Sequence, residues 1–324
     1  MPIIESTYKP EQLLKNAHFN TVFRTFFTKN NVNYTRKRLE LNDGDFMDLD
    51  FVFSNSDTIV IALHGLEGSS DSKYISAISA YLNTKNIDIV AVNFRGCSGE
   101  DNRLFESYHS GKTDDLDAVI KHINKEHSYK KIIVLGYSLG GNLVLKYMGE
   151  QGKNTPKNLK CAIAISVPCD LTGSSIALTR ATNKIYLKHF LITLRKKTLL
   201  KLEKFPDSFL IKEQILAANS FKDFDNLYTA PAHGFKDAED YWQKNSSKQF
   251  LSNIIKPTLL VNALDDTFLN EDCFPIEIAK ESSHLFLETP KYGGHVGFNS
   301  KFIGTNGHWL EKRIYDFINE HSIQ

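Results

Sequence analysis

Apolar positions along this chain fall into two kinds of run. Short, nearly unbroken runs bounded by turn-forming residues recur at 58–63, 88–93, 131–136, 160–166, 256–262 and 283–288. That is the pattern of strands buried on both faces of a parallel sheet. Between most of them the period changes to that of a helix. Leu116, Val119, Ile120 and Ile123 fall at i, i+3, i+4 and i+7 and predict a helix over 113–125 with one face on the sheet. Thr113, with Asp114 and Asp115, is expected to cap its start. Leu139, Leu143, Leu145 and Met148 predict a helix over 139–149, and Leu310, Ile314, Phe317 and Ile318 predict the last one. Ahead of the parallel elements, 36–41 and 46–53 flank Asn42-Asp43-Gly44-Asp45, a hairpin signal for two antiparallel leading strands. No internal repeat, low-complexity tract or linker interrupts the order, so residues 1–324 are expected to form one α/β domain.

One stretch breaks the rhythm. Residues 170–250 separate two strands by far more than a usual connection. Within them 185–202 is apolar and helix-like, and Phe221, Phe224, Leu227 and Tyr228 add bulk. A helical cap inserted at that sheet edge would exclude water from a site beneath it and shape a pocket.

The candidate chemistry begins where the run 131–136 meets Gly136-Tyr137-Ser138-Leu139-Gly140. A G-x-S-x-G turn between a buried strand and a helix holds its serine at the tip of a strained bend, with glycines where a Cβ would collide with neighbouring elements. Ser138 is therefore the expected nucleophile. Such a serine needs a base and an orienting acid, in chain order Ser, Asp or Glu, His. Ala263-Leu264-Asp265-Asp266 follows the run 256–262 at its carboxyl end, where open α/β sheets carry their sites. Asp266 is the preferred acid, with Asp265 as the alternative or as a turn residue. After the last short strand, Tyr292-Gly293-Gly294-His295-Val296-Gly297 offers His295 as general base in a glycine loop. His308 is the other candidate base after that strand, while His122, His127, His189 and His321 lie in polar, helix-like stretches expected to be solvated. An oxyanion hole requires two aimed amides. Leu139, directly after the nucleophile, supplies one, and Leu66, in the His64-Gly65-Leu66-Glu67-Gly68 turn after the run 58–63, supplies the other, with His64 in a structural role.

Together these residues resemble the α/β-hydrolase superfamily, and more narrowly its YheT-like branch of predicted esterases and lipases. The resemblance extends over nearly the whole chain. Its blocks are Asn16-Ala17-His18-Phe19-Asn20-Thr21, Asp43 to Leu49, His64 to Ser69, Asn93-Phe94-Arg95-Gly96-Cys97-Ser98-Gly99-Glu100, Tyr108-His109-Ser110-Gly111, Gly136 to Asn142, Ala263 to Asp266 and Gly293 to Phe298. It implies a mostly parallel twisted sheet flanked by helices, a helical cap, and Ser138, Asp266 and His295 as a charge-relay triad. One departure is visible. Thr267 stands where relatives often carry proline, which is expected to loosen the loop and keeps both aspartates in play.

Composition narrows the remaining options. A formal net charge of +1 gives no global attraction to nucleic acid. The 4 cysteines, Cys97, Cys161, Cys169 and Cys273, have no paired spacing, which suits reduced thiols rather than disulfides or a metal site. The amino terminus lacks a basic region followed by an apolar one, and no run reaches membrane-spanning length, so a cytoplasmic protein is expected. Arg95 or Arg103 is expected to pair with Glu100 or Asp101 in a rigid loop, with Cys97 a packed thiol. Charge is concentrated in one place. Between Arg180 and Lys204 stand Arg180, Lys184, Lys188, Arg195, Lys196, Lys197, Lys201 and Lys204 against the single acid Glu203. Such a segment is either a solvated helix face or a basic amphipathic helix that touches anionic lipid. The chemistry expected is serine hydrolysis of small-molecule carboxylic esters, of short or medium acyl chains or simple acylglycerols, with no cofactor or metal required. Acyl transfer through the same acyl-enzyme and a non-catalytic ligand-binding protein are the alternatives. Oligomeric state has no signature in the sequence.

Overall fold

The computed structural model describes residues 3–27, 32–301 and 309–322. Among the described residues nine strands form one sheet: β1 (Ile3–Ile4), β2 (Thr35–Glu40), β3 (Phe46–Val52), β4 (Thr58–Leu63), β5 (Asp88–Asn93), β6 (Lys131–Tyr137), β7 (Leu159–Ile165), β8 (Thr258–Val261) and β9 (Leu285–Glu288). Their spatial order is β1-β9-β8-β7-β6-β4-β5-β3-β2. The pairs β2 with β3 and β3 with β5 are antiparallel, and every other pair is parallel. The outer strand β2 is mostly exposed and carries Arg36, Lys37 and Arg38, charges that discourage pairing with another chain at this edge.

Alternation along the strands feeds a separate core on each face. Ile59, Ile61 and Leu63 of β4 pack with Leu116, Val119, Ile120 and Ile123 of α3 (Thr113–Glu126) and with Leu143 and Met148 of α4 (Leu139–Gln151). Val60 and Ala62 face the other way, toward Ile75, Ile78 and Leu82 of α2 (Lys73–Asn83) and Leu310, Ile314 and Phe317 of α12 (Trp309–His321). Both faces are covered, which is why the central strands are apolar through their middles, with polar residues such as Thr58, Asp88, Asn93 and Lys131 at their ends. A further helix, α1 (Ala17–Phe27), is tied down by Arg24, whose guanidinium is buried against Glu311 and donates from Nε to Gly297 O at 3.1 Å.

Strand limits differ from the apolar runs where local chemistry intervenes. β7 stops one residue early because Ser166 takes a left-handed φ of 52°. β9 starts only at Leu285, since the Ser282 hydroxyl accepts from the His284 and Leu285 amides and forms a turn first. The expected cap of α3 is also different. Lys112 occupies the N-cap, the Thr113 hydroxyl donates to Glu150 at 2.7 Å, and Asp115 is buried against Arg95.

Between β7 and β8 lie α5 (Leu171–Leu178), α6 (Lys184–Lys204), α7 (Lys212–Ala217), α8 (Phe221–Phe224), α9 (Ala230–Ala232) and α10 (Ala238–Asn245), with a π-helical turn at Asp225–Thr229. These helices build an apolar cluster of their own from Leu187, Leu191, Leu210, Ile215, Phe224 and Tyr228. After β8 come α11 (Ile276–Glu281) and then β9. Among the described residues no helix is long and apolar enough to cross a membrane.

Candidate active site

Three strand ends converge on Ser138. It follows β6 directly, with φ 52° and ψ −118°, and opens α4. Holding a residue with a Cβ in this region is unfavourable and is seen where surrounding structure enforces it. Here crowding enforces it. A Cβ on Gly136 would lie 2.2 Å from Gly140 O, and one on Gly140 would lie 2.5 Å from His64 O.

The Ser138 hydroxyl donates to His295 Nε2 at 2.9 Å, and His295 Nδ1 donates to Asp266 Oδ2 at 2.8 Å. The hydrogen positions follow from the network, since a carboxylate can only accept. Asp266 is buried, and its second oxygen accepts from the Phe268 amide at 3.0 Å. The neighbouring acid points elsewhere. Asp265 Oδ1 accepts from the Gly294 amide at 2.9 Å, and its Oδ2 is buried without a partner among the described residues. Burial pushes the Asp265 carboxyl up. Asp265 thus clasps the glycine loop that presents His295, while Asp266 meets the ring.

That loop is fixed by groups the sequence reading did not single out. The His295 amide donates to Thr21 Oγ1 and the Val296 amide to Ser166 Oγ, each at 2.9 Å. Gly294 has φ +57°, and a Cβ there would meet Ala17 O at 2.3 Å, so α1 presses directly on the loop. The Phe268 ring stacks on the imidazole with centroids 4.3 Å apart. The one available signal was the block Asn16 to Thr21, whose likeness to relatives marked it without indicating a task. Thr267 does not loosen the acid loop. Its hydroxyl donates to Asn183 Oδ1 and its carbonyl accepts from Asn183 Nδ2, both at 2.7 Å, which pins the loop to the start of α6.

The turn after β4 lies against the serine, since a Cβ on Gly65 would be 3.2 Å from Ser138 Cβ. Most amides here are engaged. Gly65 N–H donates to Tyr74 Oη at 2.9 Å, Glu67 N–H to Tyr108 Oη at 2.8 Å, and Ser138 N–H to Ile165 O at 2.8 Å. Among the described residues no protein acceptor is found for the amides of Leu66 and Leu139, and both residues line the same cavity as Ser138. His64 is a buried neutral spacer. Its Nδ1 donates to Gly65 O at 2.7 Å, its Nε2 accepts from the Phe94 amide at 3.2 Å, and burial pushes its pKa down to about 3.

The cavity over Ser138 has a volume of about 150 Å³. Leu139, Leu171, Phe190, Phe221, Phe224 and Phe268 give it an apolar wall contributed largely by the helices between β7 and β8. Of the remaining histidines, His109 lines this cavity, buried and pushed well down by that burial, whereas those expected to be solvated do not reach it. His189 is exposed, while His127 packs on Phe53 and Tyr129 and His321 on Phe286 and Phe317, so these two are less solvated than their polar surroundings suggest. His308 lies outside the described residues.

Charged residues find more distant partners than the sequence suggests. Arg95 makes a two-pronged pair with Asp115 at 2.7 and 2.8 Å and reaches Asp43 at 2.7 Å, Arg103 pairs with Glu40, and Glu100 pairs with Arg38. The expected local pairing of Arg95 or Arg103 with Glu100 or Asp101 does not form, because Asp115 on α3 and the acids of the β2–β3 hairpin, Glu40 and Asp43, are better placed. The basic helix is likewise divided. Arg180, Lys184, Lys188 and Lys196 are exposed. Lys201 is buried on Asn102 and Asp101, Arg195 Nε donates to Ala218 O at 3.0 Å, and Lys197 turns into the cavity.

A serine at a strained strand-to-helix turn, on a mostly parallel sheet wrapped by helices, defines a hydrolase architecture, and comparison with known proteins agrees. The family model described as alpha/beta hydrolase fold matches residues 58–301, and the chain belongs to that family. Over 316 residues it is 31% identical to YheT of Escherichia coli (strain K12), named as a predicted esterase, covering 95% of this chain and 92% of that protein, which puts it in the YheT-like branch. It is also 29% identical over 307 residues to phospholipase ABHD3 of Mus musculus, covering 92% of this chain and 74% of that protein. The solved structure of the Pyrococcus furiosus esterase PF2001 is similar in fold, with a TM-score of 0.61 over 89% of this chain and 91% of that one at 17% identity.

Proposed function

We propose that this protein is a serine hydrolase of carboxylic esters that works through an acyl-enzyme on Ser138. The observation that carries the reading is the unbroken chain from Ser138 Oγ to His295 at 2.9 Å and from His295 to Asp266 at 2.8 Å. In the first half-reaction Ser138 Oγ attacks the ester carbonyl while His295 Nε2 takes its proton. Asp266 keeps the ring in the tautomer that can accept at Nε2 and stabilises the imidazolium. The amides of Leu66 and Leu139 hold the oxyanion, and the proton on Nε2 goes to the departing alkoxide. Water, deprotonated by His295, then releases the acid.

The helices within 170–250 act in this reading as a cap over a single 1–324 hydrolase domain. Their apolar wall suits an acyl chain of short or medium length or a simple acylglycerol. The exposed face of α6, where Ile185 and Ile192 stand among Lys184, Lys188 and Lys196, suits weak contact with an anionic lipid surface. That contact is tested by salt-sensitive binding to anionic vesicles.

Covalent labelling by a fluorophosphonate, lost in Ser138→Ala, together with turnover of a panel of esters of increasing acyl length, tests the main reading. Wild-type protein that neither labels nor turns over any ester would overturn it in favour of a ligand-binding role. Ester formation outrunning acid release when an alcohol is added would assign acyl transfer instead.

A further inference from the structure

The helix that holds the surplus positive charge reaches into the site at one point. Lys197 Nζ, on α6, lies 3.0 Å from Glu67 Oε1 and 3.3 Å from Cys97 Sγ. Glu67 directly follows Leu66, and its φ of 56° is a left-handed conformation unfavourable for a residue with a Cβ. A closed ring of hydrogen bonds holds it there. The Glu67 amide donates to Tyr108 Oη at 2.8 Å, and that hydroxyl in turn donates to Glu67 Oε1 at 2.7 Å.

The Glu67 side chain is only 6% exposed, so its charge needs compensation. The titratable groups around it are Lys197 from α6, Tyr108, Cys97 from the loop after β5, and His64 at the end of β4. Burial and the nearby carboxylate push Tyr108 well up, burial pushes Cys97 up to about 11, and burial keeps His64 neutral. Among the described residues Lys197 is therefore the cation that balances Glu67. An unbalanced carboxylate at this point would also repel the oxyanion forming over the adjacent turn.

We infer that Lys197 and Glu67 form a positioning pair by which α6 sets the oxyanion turn: the ammonium holds Glu67 folded back on Tyr108, and this fixes the peptide that carries the Leu66 amide toward Ser138. The inference rests on the hydrolase reading of the site. Neither residue touches the reacting atoms in this role. The helical segment thus does more than cover the cavity, because part of the catalytic turn takes its shape from a residue 130 positions further along the chain.

The test uses the full-length protein and a neutral, soluble short-chain ester, with kcat and KM measured for wild type, Lys197→Met, Lys197→Arg, Glu67→Gln and the Lys197→Met/Glu67→Gln double variant. Lys197→Met should lower kcat about 10- to 100-fold, short of the loss of a whole oxyanion donor, with KM nearly unchanged. Lys197→Arg should retain most of the activity. Glu67→Gln should cost only a few-fold, because the amide oxygen still accepts from Tyr108 and carries no charge. The double variant should recover to the level of Glu67→Gln, since the uncompensated charge is gone. Unchanged kcat in Lys197→Met, an effect confined to KM, or a double variant at least as impaired as Lys197→Met would each overturn the positioning pair. Should Lys197→Met fail to fold, the same comparison of kcat between Glu67→Gln and the double variant decides it. Equal values support the pair, and a further drop in the double variant overturns it. Absence of turnover and of fluorophosphonate labelling in wild type would instead overturn the hydrolase reading itself.

Discussion

The sheet edge and the helices above it solve different problems. At the sheet edge, Ser138 and His295 are set by backbone. At positions 136, 140 and 294 a Cβ would fall 2.2 to 2.5 Å from neighbouring backbone oxygens, so only glycine fits, and main-chain amides are taken up by Ile165, Thr21 and Ser166. The helices between β7 and β8 instead rest on an apolar cluster of their own, and α6 is fastened to the site by side chains: Asn183 on Thr267, Lys197 on Glu67 and Lys201 on Asn102. Backbone placement is hard to alter without unfolding, whereas a side-chain clasp and an apolar wall can change by substitution while the reaction centre stays in place. On the proposed hydrolase reading, chemistry belongs to the first region and selectivity to the second.

The sharpest way to break that division is to remove the reacting groups. Ser138→Ala and His295→Ala should each lower kcat by at least about a thousandfold, with the melting temperature little changed, because the residues act as one unit. Retention of most activity in Ser138→Ala would remove the sheet edge from the chemistry. Next comes the choice of acid. Asp266→Asn should cost about a hundredfold or more in kcat by presenting the wrong hydrogen-bonding partner to the ring. Asp265→Asn should cost less than about tenfold, as it only weakens the clasp on Gly294. The opposite ranking would reassign the orienting acid.

Acid should weaken both regions at once. His64 below the oxyanion turn is pushed down to about 3 and His233 among the upper helices to about 4, both by burial. A histidine depressed in the folded state binds fewer protons there than in the unfolded chain. Its stability contribution is complete above the ordinary value near 6.5 and is lost as pH falls toward the folded value. Each should contribute a slope of up to about 1.4 kcal/mol per pH unit across that window. Chemical denaturation of wild type and His233→Gln between pH 6.5 and 4 checks this, with a shallower slope expected in the variant. The smallest effect concerns selectivity alone. Phe190→Ala, which opens the cavity wall, should shift the preferred acyl length upward with about a two- to tenfold change in KM for longer chains, while kcat on the shortest ester holds. A loss of kcat on every chain length would show that the wall also positions the reaction.

How much of this was legible in the sequence follows from how local each cause is. The strands at Thr58–Leu63 and Asp88–Asn93 coincide with their apolar runs because both faces are buried and no side chain competes with the ladder. The positions of Ser138, Asp266 and His295 were readable because a strained turn and a glycine loop leave marks at fixed spacing. The short β1, the start of β9 and the N-cap of α3 were not, since pairing with a distant strand, one Ser282 hydroxyl and a buried Arg95 decided them.

By itself, then, the sequence determined the α/β order and the places of Ser138, Asp266 and His295 at the ends of their strands, which depend on period, chain order and backbone freedom. Tertiary structure alone decided which charges are surface and which are site. Lys196 and Lys197 are adjacent in a basic run, yet one faces solvent and the other is 3.0 Å from Glu67. Arg95 passes over the acids beside it for Asp115 and Asp43. Burial decides such matches, because a buried charge must take whichever partner the fold brings within reach, however far away that partner lies along the chain.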